Sequence, residues 1–211
     1  MSILYYIHDP MCSWCWAFRP VWTAVQAQLP DGLKVKYLLG GLAPDSDAPM
    51  PAETRAMIRR HWQMIEHRVP GTLFNHAFWS DCTPRRSTYP ACRAVIAARN
   101  QLPGNGNNED AMILAIQQAY YLQARNPSDE TVLIELAAAL ALDVDRFRAE
   151  LNAPVTQAVL NTDMQLNQQL GVQGFPGLVF KDNRGVQHIE IDYNDSDAMV
   201  DSILQQTMAG K

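Results

Sequence analysis

Ile3-Leu4-Tyr5-Tyr6-Ile7-His8-Asp9-Pro10-Met11-Cys12-Ser13-Trp14-Cys15-Trp16 is the stretch on which the reading of this chain turns. A short apolar run, Ile3 to Ile7, reads as a strand. Residues from Trp16 to about Leu29 repeat with helical spacing. Between them lies a Cys-x-x-Cys pair. Strand, Cys-x-x-Cys, helix is the context that makes a common tetrapeptide a redox motif. The first sulfur falls where a helix begins, and unpaired backbone N–H groups and the helix dipole favour a thiolate there. Such sites bring a cysteine pKa from about 8.5 into a range of about 3.5–7.5. Cys12 and Cys15 are therefore the candidate catalytic residues.

The surrounding sequence splits by character. Leu33 to Leu39 alternates and stops at Gly40-Gly41, a second strand. The proline-rich stretch from Pro44 to Pro51 is a loop. From there to about Asn152 the periodicity is helical: Ile58, Trp62, Ile65 and Val69; Tyr89, Cys92 and Ile96; Met112, Ile116 and Tyr120; Leu133, Leu136 and Leu140. Breaks are expected at Gly104 to Asn108 and at Asn126-Pro127-Ser128. Val144, Phe147 and Leu151 mark a short helix, and a longer one runs from about Thr156 to Leu170, closed by Gly171. Gly177 to Lys181 and Val186 to Ile191 then form a hairpin across Asp182-Asn183-Arg184-Gly185. Asp195 to Met208 is a last amphipathic helix. Neither end has enough to bury on its own. Residues 1–44 and 153–211 are expected to join into one sheet domain, with 45–152 as an inserted helical domain.

Composition excludes several classes. The 211 residues carry a net charge of -5, with no Lys/Arg run, which argues against nucleic-acid binding. No window approaches the ~20 apolar residues of a membrane span. The start of the chain lacks a basic segment and its apolar run is short, so no signal peptide is expected, and the expected compartment is the cytoplasm. Structural disulfides are rare there, which favours a catalytic reading of the pair. Zinc would need four ligands. Cys82 and Cys92 could supply two, but the nine residues between them do not match a zinc knuckle. No metal and no organic cofactor are expected.

Gly174-Phe175-Pro176-Gly177 opens the third strand. Proline is tolerated there because it has no N–H to give a ladder. A trans bond is the commoner state, while a cis bond would turn the Phe175 backbone toward the cysteines, where its N–H and C=O could pair with an extended substrate.

The order of these features, ending in "GFPGLVF", a hairpin and a helix, resembles the thioredoxin superfamily, and the large helical insertion resembles its DsbA-like branch. "HDPMCSWCWAFRP" with "PRRSTYPACRAVIAAR" is similar to FrnE-like cytoplasmic predicted protein-disulfide isomerases. The resemblance spans essentially the whole chain. It implies an α/β thioredoxin-like fold with an all-helical insertion, Cys12 as attacking and Cys15 as resolving cysteine, a cis Pro176, and thiol–disulfide exchange on cysteine-containing clients, with glutathione as a possible co-substrate. The chain departs from the family in one place. Many members carry a buried Asp or Glu six residues before the first cysteine, and here that residue is Tyr6. Water, His8 or Asp9 would have to move the proton, although a lone histidine more often packs at a strand end.

Other residues have two readings. Cys82 and Cys92 are structural thiols or a second, regulatory disulfide. Arg85-Arg86-Ser87-Thr88 is a solvated pair beside a helix cap, or a basic lip over the site that holds glutathione or a substrate carboxylate. Trp14 lies between the cysteines, on the rim. Two rivals stand beside exchange. One is a glutathione-dependent reaction of the kappa transferase or 2-hydroxychromene-2-carboxylate isomerase type, whose members usually have serine where Cys12 stands. The other is a non-enzymatic holdase.

Overall fold

The computed structural model describes residues 2–101 and 108–208. The expected break over residues 104–107 lies outside the described residues. The elements run in the order β1 (Ile3–His8), α1 (Ser13–Gln26), β2 (Lys34–Leu39), α2 (Ala52–Arg68), α3 (Phe78–Asp81), α4 (Tyr89–Arg99), α5 (Asn108–Tyr121), α6 (Glu130–Ala139), α7 (Val144–Leu151), α8 (Pro154–Gln169), β3 (Gly177–Asp182), β4 (Gly185–Ile189) and α9 (Ser196–Met208). This is the α/β thioredoxin-like arrangement expected from the sequence. The α1 helix begins at Ser13, earlier than the apolar periodicity marked, and β4 ends at Ile189.

The strand order is β2-β1-β3-β4. β1 pairs parallel with β2 and antiparallel with β3, and β3 pairs antiparallel with β4. The central β1 is nearly all apolar because both of its faces are covered. Period-two alternation divides its side chains. Leu4 and Tyr6 pack with Phe18, Trp22 and Val25 of α1 and with Met199, Val200 and Ile203 of α9. Tyr5 and Ile7 face the other way, onto Leu38, Val179 and Leu170, at the C-terminal end of α8.

A third cluster lies among the helices between β2 and α8. Trp62 at its centre is fully buried, with rings of Phe74, Trp79, Tyr120 and Tyr121 at centroid distances of 4.7, 4.8, 5.6 and 5.6 Å. Replacing such a residue by alanine costs about 3–5 kcal/mol. Met11, Ala17 and Leu39 belong to the same cluster, so the mouth of the sheet and the helices share one apolar seam. Arg93 of α4 ties the loop after β2 to the end of α7. Its guanidinium binds both oxygens of Asp45 at 2.8 Å and the Leu151 carbonyl at 3.1 Å.

Candidate active site

The redox pair sits where β1 ends and α1 begins. The Asp9 side chain accepts the Met11 N–H at 2.8 Å, and the Asp9 carbonyl accepts the Cys12 N–H at 3.0 Å. These bonds make a tight turn over Pro10-Met11. The turn sets Cys12 in extended conformation as the N-cap of α1, and Cys15 in the first helical turn. The Cys12 side chain caps no backbone group, which leaves its sulfur for other partners. Cys12 is 8% exposed and Cys15 fully buried, both as free thiols.

The two sulfurs are electrically unequal. Hydrogen bonding from the Cys15 thiol holds Cys12 below the ordinary thiol pKa, with help from the Cys15 and Trp14 backbone, while burial and the Asp9 charge act the other way. Burial pushes Cys15 well up, and its bond to Cys12 and the Cys12 charge add to this.

The Phe175–Pro176 bond is cis. Cys12 Sγ donates to the Phe175 carbonyl at 3.5 Å. The Phe175 ring lies against Gly40, and a Cβ at residue 40 would fall inside that ring. Gly40 therefore does more than end β2.

Beside the pair opens a cleft of about 310 Å³. Its apolar wall includes Met50, Met57, Ile58 and Trp62, its floor Met11 and Cys12, and its far side Gln173, Gly174 and Phe175. Arg85, Arg86, Ser87 and Thr88 form one lip, so the basic stretch does reach the site. Arg85 is tied down: it bonds the Ser128 carbonyl and Asp129, both at 2.5 Å. Arg86 is half-buried and, among the described residues, has no ion pair. Trp14 lines the cleft and packs on Tyr193, with ring centroids 5.1 Å apart.

His8 and Asp9 differ sharply. His8 is fully buried, stacked on Tyr6 at 5.1 Å, with no hydrogen-bond partner for either ring nitrogen among the described residues. Burial lowers its pKa to about 3, which makes it a poor base. Asp9 is also fully buried but saturated with donors. Its second oxygen accepts the Leu42 N–H at 2.7 Å, the Thr88 hydroxyl at 2.7 Å and the Cys92 thiol at 3.6 Å. Thr88 is the N-cap residue of α4, but its side chain makes no capping bond. Its hydroxyl points inward to Asp9 instead.

Cys82 and Cys92 have separate surroundings. Cys82 caps the short α3 and donates to the Ala124 carbonyl at 2.9 Å, whereas Cys92 faces Asp9. Among the described residues no group of three or more His, Cys, Asp or Glu could hold a metal ion. No helix among them is long and apolar enough to cross a membrane. Sequence reasoning missed the cleft's methionines, His61 and Tyr193. Their patterns are those of ordinary helix and loop residues.

A sheet of this order, with a Cys-x-x-Cys pair at the head of α1 and a Phe-Pro loop over it, is the arrangement of a thioredoxin-like protein of DsbA-like fold. The chain belongs to the thioredoxin family, whose family model, described as Thioredoxin, matches residues 5–201. Among solved structures it is similar to a proposed protein disulfide isomerase from Nitrosomonas europaea (27% identity, TM-score 0.84, covering 100% of this chain and 99% of that one). It is also similar to the cytosolic disulfide reductase DsbM from Pseudomonas aeruginosa (25% identity, TM-score 0.77, covering 98% and 99%), which has also been solved with glutathione. Among curated proteins, the ClpXP adapter protein SpxH of Halalkalibacterium halodurans is 25% identical over 193 residues, 89% of this chain and 61% of that protein. The chain thus spans about three fifths of the length of the curated relatives it matches.

Proposed function

We propose that the protein carries out dithiol–disulfide exchange of the reductase or isomerase type, with Cys12 as nucleophile and Cys15 as resolving thiol. The single observation that carries this reading is the position of Cys12. Its sulfur has a depressed pKa, stands at a helix start, and faces both the Phe175 backbone and an open cleft. Cys12 thiolate attacks one sulfur of a bound disulfide, and the other sulfur leaves with the electron pair. The Cys15 thiolate then attacks Cys12, closing the Cys12–Cys15 bond and releasing the second thiolate. The Phe175 backbone docks an extended substrate, and Trp14 forms the rim.

Partners of this site are cysteine-containing client proteins or glutathione. Arg86, with Arg85 behind it, offers a cation to a substrate carboxylate, and DsbM's structure with glutathione supports this choice. The cytoplasm is the compartment we assign, in line with the cytosolic DsbM. The chemistry calls on no metal or organic cofactor. Glutathione transferase-type chemistry fits less well, because Cys12 stands where that group usually has serine and a second thiol is ready to resolve.

Trapping tests the reading. Cys15→Ser, expressed in cells, should accumulate dithiothreitol-sensitive adducts on non-reducing gels, and Cys12→Ser should not. Equal trapping by both variants, or by neither, would defeat the assignment of roles. Client shielding that survives in the double serine variant, without exchange in the parent, would instead mark a holdase.

A further inference from the structure

The sheet ends at β2, so the outer edge of that strand meets no further strand. Backbone groups on a buried edge still need partners. At the end of β2 nearest the cysteines a helix supplies them. Gly40 donates to the His8 carbonyl of β1 at 2.6 Å. Alternation turns the backbone of its neighbour, Leu39, the other way, off the sheet. There the Leu39 N–H donates to Asp163 Oδ2 at 3.3 Å, and the Leu39 carbonyl accepts from Asn167 Nδ2 at 2.9 Å. Asp163 and Asn167 lie four residues apart on α8, hence on one face. All three residues are buried. The carboxylate stands in for the carbonyl, and the amide for the N–H, that a fifth strand would offer. Lys34 to Tyr37 are exposed or half-buried, and β2 becomes fully buried only at Leu38 and Leu39, where this clamp closes.

The clamped residue leads straight into the site. Gly40 follows it and is the seat of the Phe175 ring, with no room for a Cβ between them. The Phe175 carbonyl in turn accepts the Cys12 thiol at 3.5 Å. Gly41, at φ +60°, runs under the Met164 sulfur of the same helix. Leu42 lines the cleft, and its N–H is held by Asp9 at 2.7 Å. The last residue of α8, Gln169, comes only six residues before Phe175. One helix therefore grips the seat and also carries the chain that bears the ring. We infer that Asp163 and Asn167 are positioning residues: by closing the edge of β2 they fix the Gly40 seat, and through it hold the Phe175 backbone where a client docked beside Cys12 must pair.

The inference deepens the exchange reading above and rests on it. Neither side chain lines the cleft, so both act through Leu39 and Gly40. A slack clamp leaves the Cys12 thiolate able to attack but lets the docking backbone shift. Reaction with an extended client then suffers more than reaction with a small reagent that needs no docking. The chemistry of the clamp is also directional. Asparagine at 163 keeps an oxygen to accept the Leu39 N–H, whereas alanine leaves that buried donor unpaired. Aspartate at 167 sets a carboxylate against the Leu39 carbonyl, oxygen against oxygen, where a donor is needed.

The test measures two reactions of each variant near neutral pH. One is steady-state reduction of insulin, an extended client, with dithiothreitol regenerating the pair. The other is alkylation of Cys12 by iodoacetamide, which needs no docked backbone. Asp163→Ala and Asn167→Asp should each lower the ratio of insulin kcat/KM to alkylation rate by about tenfold, chiefly through a higher KM. Asp163→Asn should return the ratio to within about twofold of the parent's, because the acceptor is kept. Ratios equal to the parent's in folded Asp163→Ala and Asn167→Asp would overturn the inference, and so would equal KM values for Asp163→Asn and Asp163→Ala. Should Asn167→Asp fail to fold, Asn167→Ala, which removes the donor and adds no charge, is read in its place by the same criterion. A parent whose Cys12 is alkylated but which reduces no insulin would sink the exchange reading itself, a separate result.

Discussion

Cys12 and Phe175, 163 residues apart in sequence, meet across 3.5 Å, thiol to backbone carbonyl. The contact places the nucleophile beside the backbone a substrate must pair with. It also leaves the other side of the sulfur toward the cleft, where an incoming disulfide can line up with it.

The unequal pair should show itself in alkylation. Near pH 7, iodoacetamide should label Cys12 at least about tenfold faster than Cys15, since only the thiolate reacts. The sign follows from the shifts: Cys12 titrates below the ordinary thiol value and Cys15 above it. Peptide mapping across pH 5–9 checks this, and faster labelling of Cys15 would reverse the roles.

Phe175 should be sensitive to its neighbour. Gly40→Ala puts a methyl where the ring lies, so the ring must move. A destabilisation of about 1–3 kcal/mol in urea is expected, together with slower insulin reduction than this loss of folded protein explains. Unaltered turnover would show that the ring's seat has no bearing on exchange.

The buried His8 makes stability depend on pH. Its folded pKa of about 3 lies below the unfolded 6.5, so the unfolded chain binds the proton first. Stability is therefore present above pH 6.5 and lost as pH falls toward 3. His8→Phe, which keeps a flat ring on Tyr6, should remove this slope. Relative to that variant, the parent should lose about 1 kcal/mol between pH 6 and pH 5. Parallel urea midpoints for the two proteins would contradict the assignment.

Arg86 should act on binding and leave chemistry alone. Arg86→Ala is expected to raise KM for glutathione disulfide by about tenfold, with kcat little changed, because a charge-assisted bond to a carboxylate holds ground and transition states alike. A fall in kcat at constant KM would place this cation elsewhere in the cycle.

With the Cys12–Cys15 pair oxidised, native protein should expose one reactive thiol to Ellman's reagent, Cys82, and unfolding should release a second, Cys92, which is fully buried. Two reactive thiols in the native state would contradict this burial, and none would indicate a bond between them.

The strands and most helices were legible because period-two and period-3.6 patterns are local. The first strand, the head of α1 and the hairpin could be placed to within a few residues for that reason. Four-residue α3 has too few turns to show a period. The cluster around Asp9 was invisible for another reason. Its partners lie 33, 79 and 83 residues away, and nothing local distinguishes a threonine that caps a helix from one that turns inward. Cys92 shows the same limit: its spacing with Tyr89 and Ile96 marks a buried face, and it is fully buried in the apolar core, but nothing local shows that its thiol also meets the Asp9 carboxylate. Arg85 and Arg86 share a dipeptide, yet one is spent on Asp129 and the other is turned to the cleft.

The central place of β1 has a consequence for biosynthesis. The nucleophile is translated among the first residues described, but the strand that completes its site, with Phe175 at its mouth, is made only after all the helices between them in the chain. For most of its synthesis the nascent chain carries two thiols without the backbone that will select their substrates. Until β3 settles against β1, Cys12 can meet any disulfide in reach, so selectivity in this protein arrives later than reactivity.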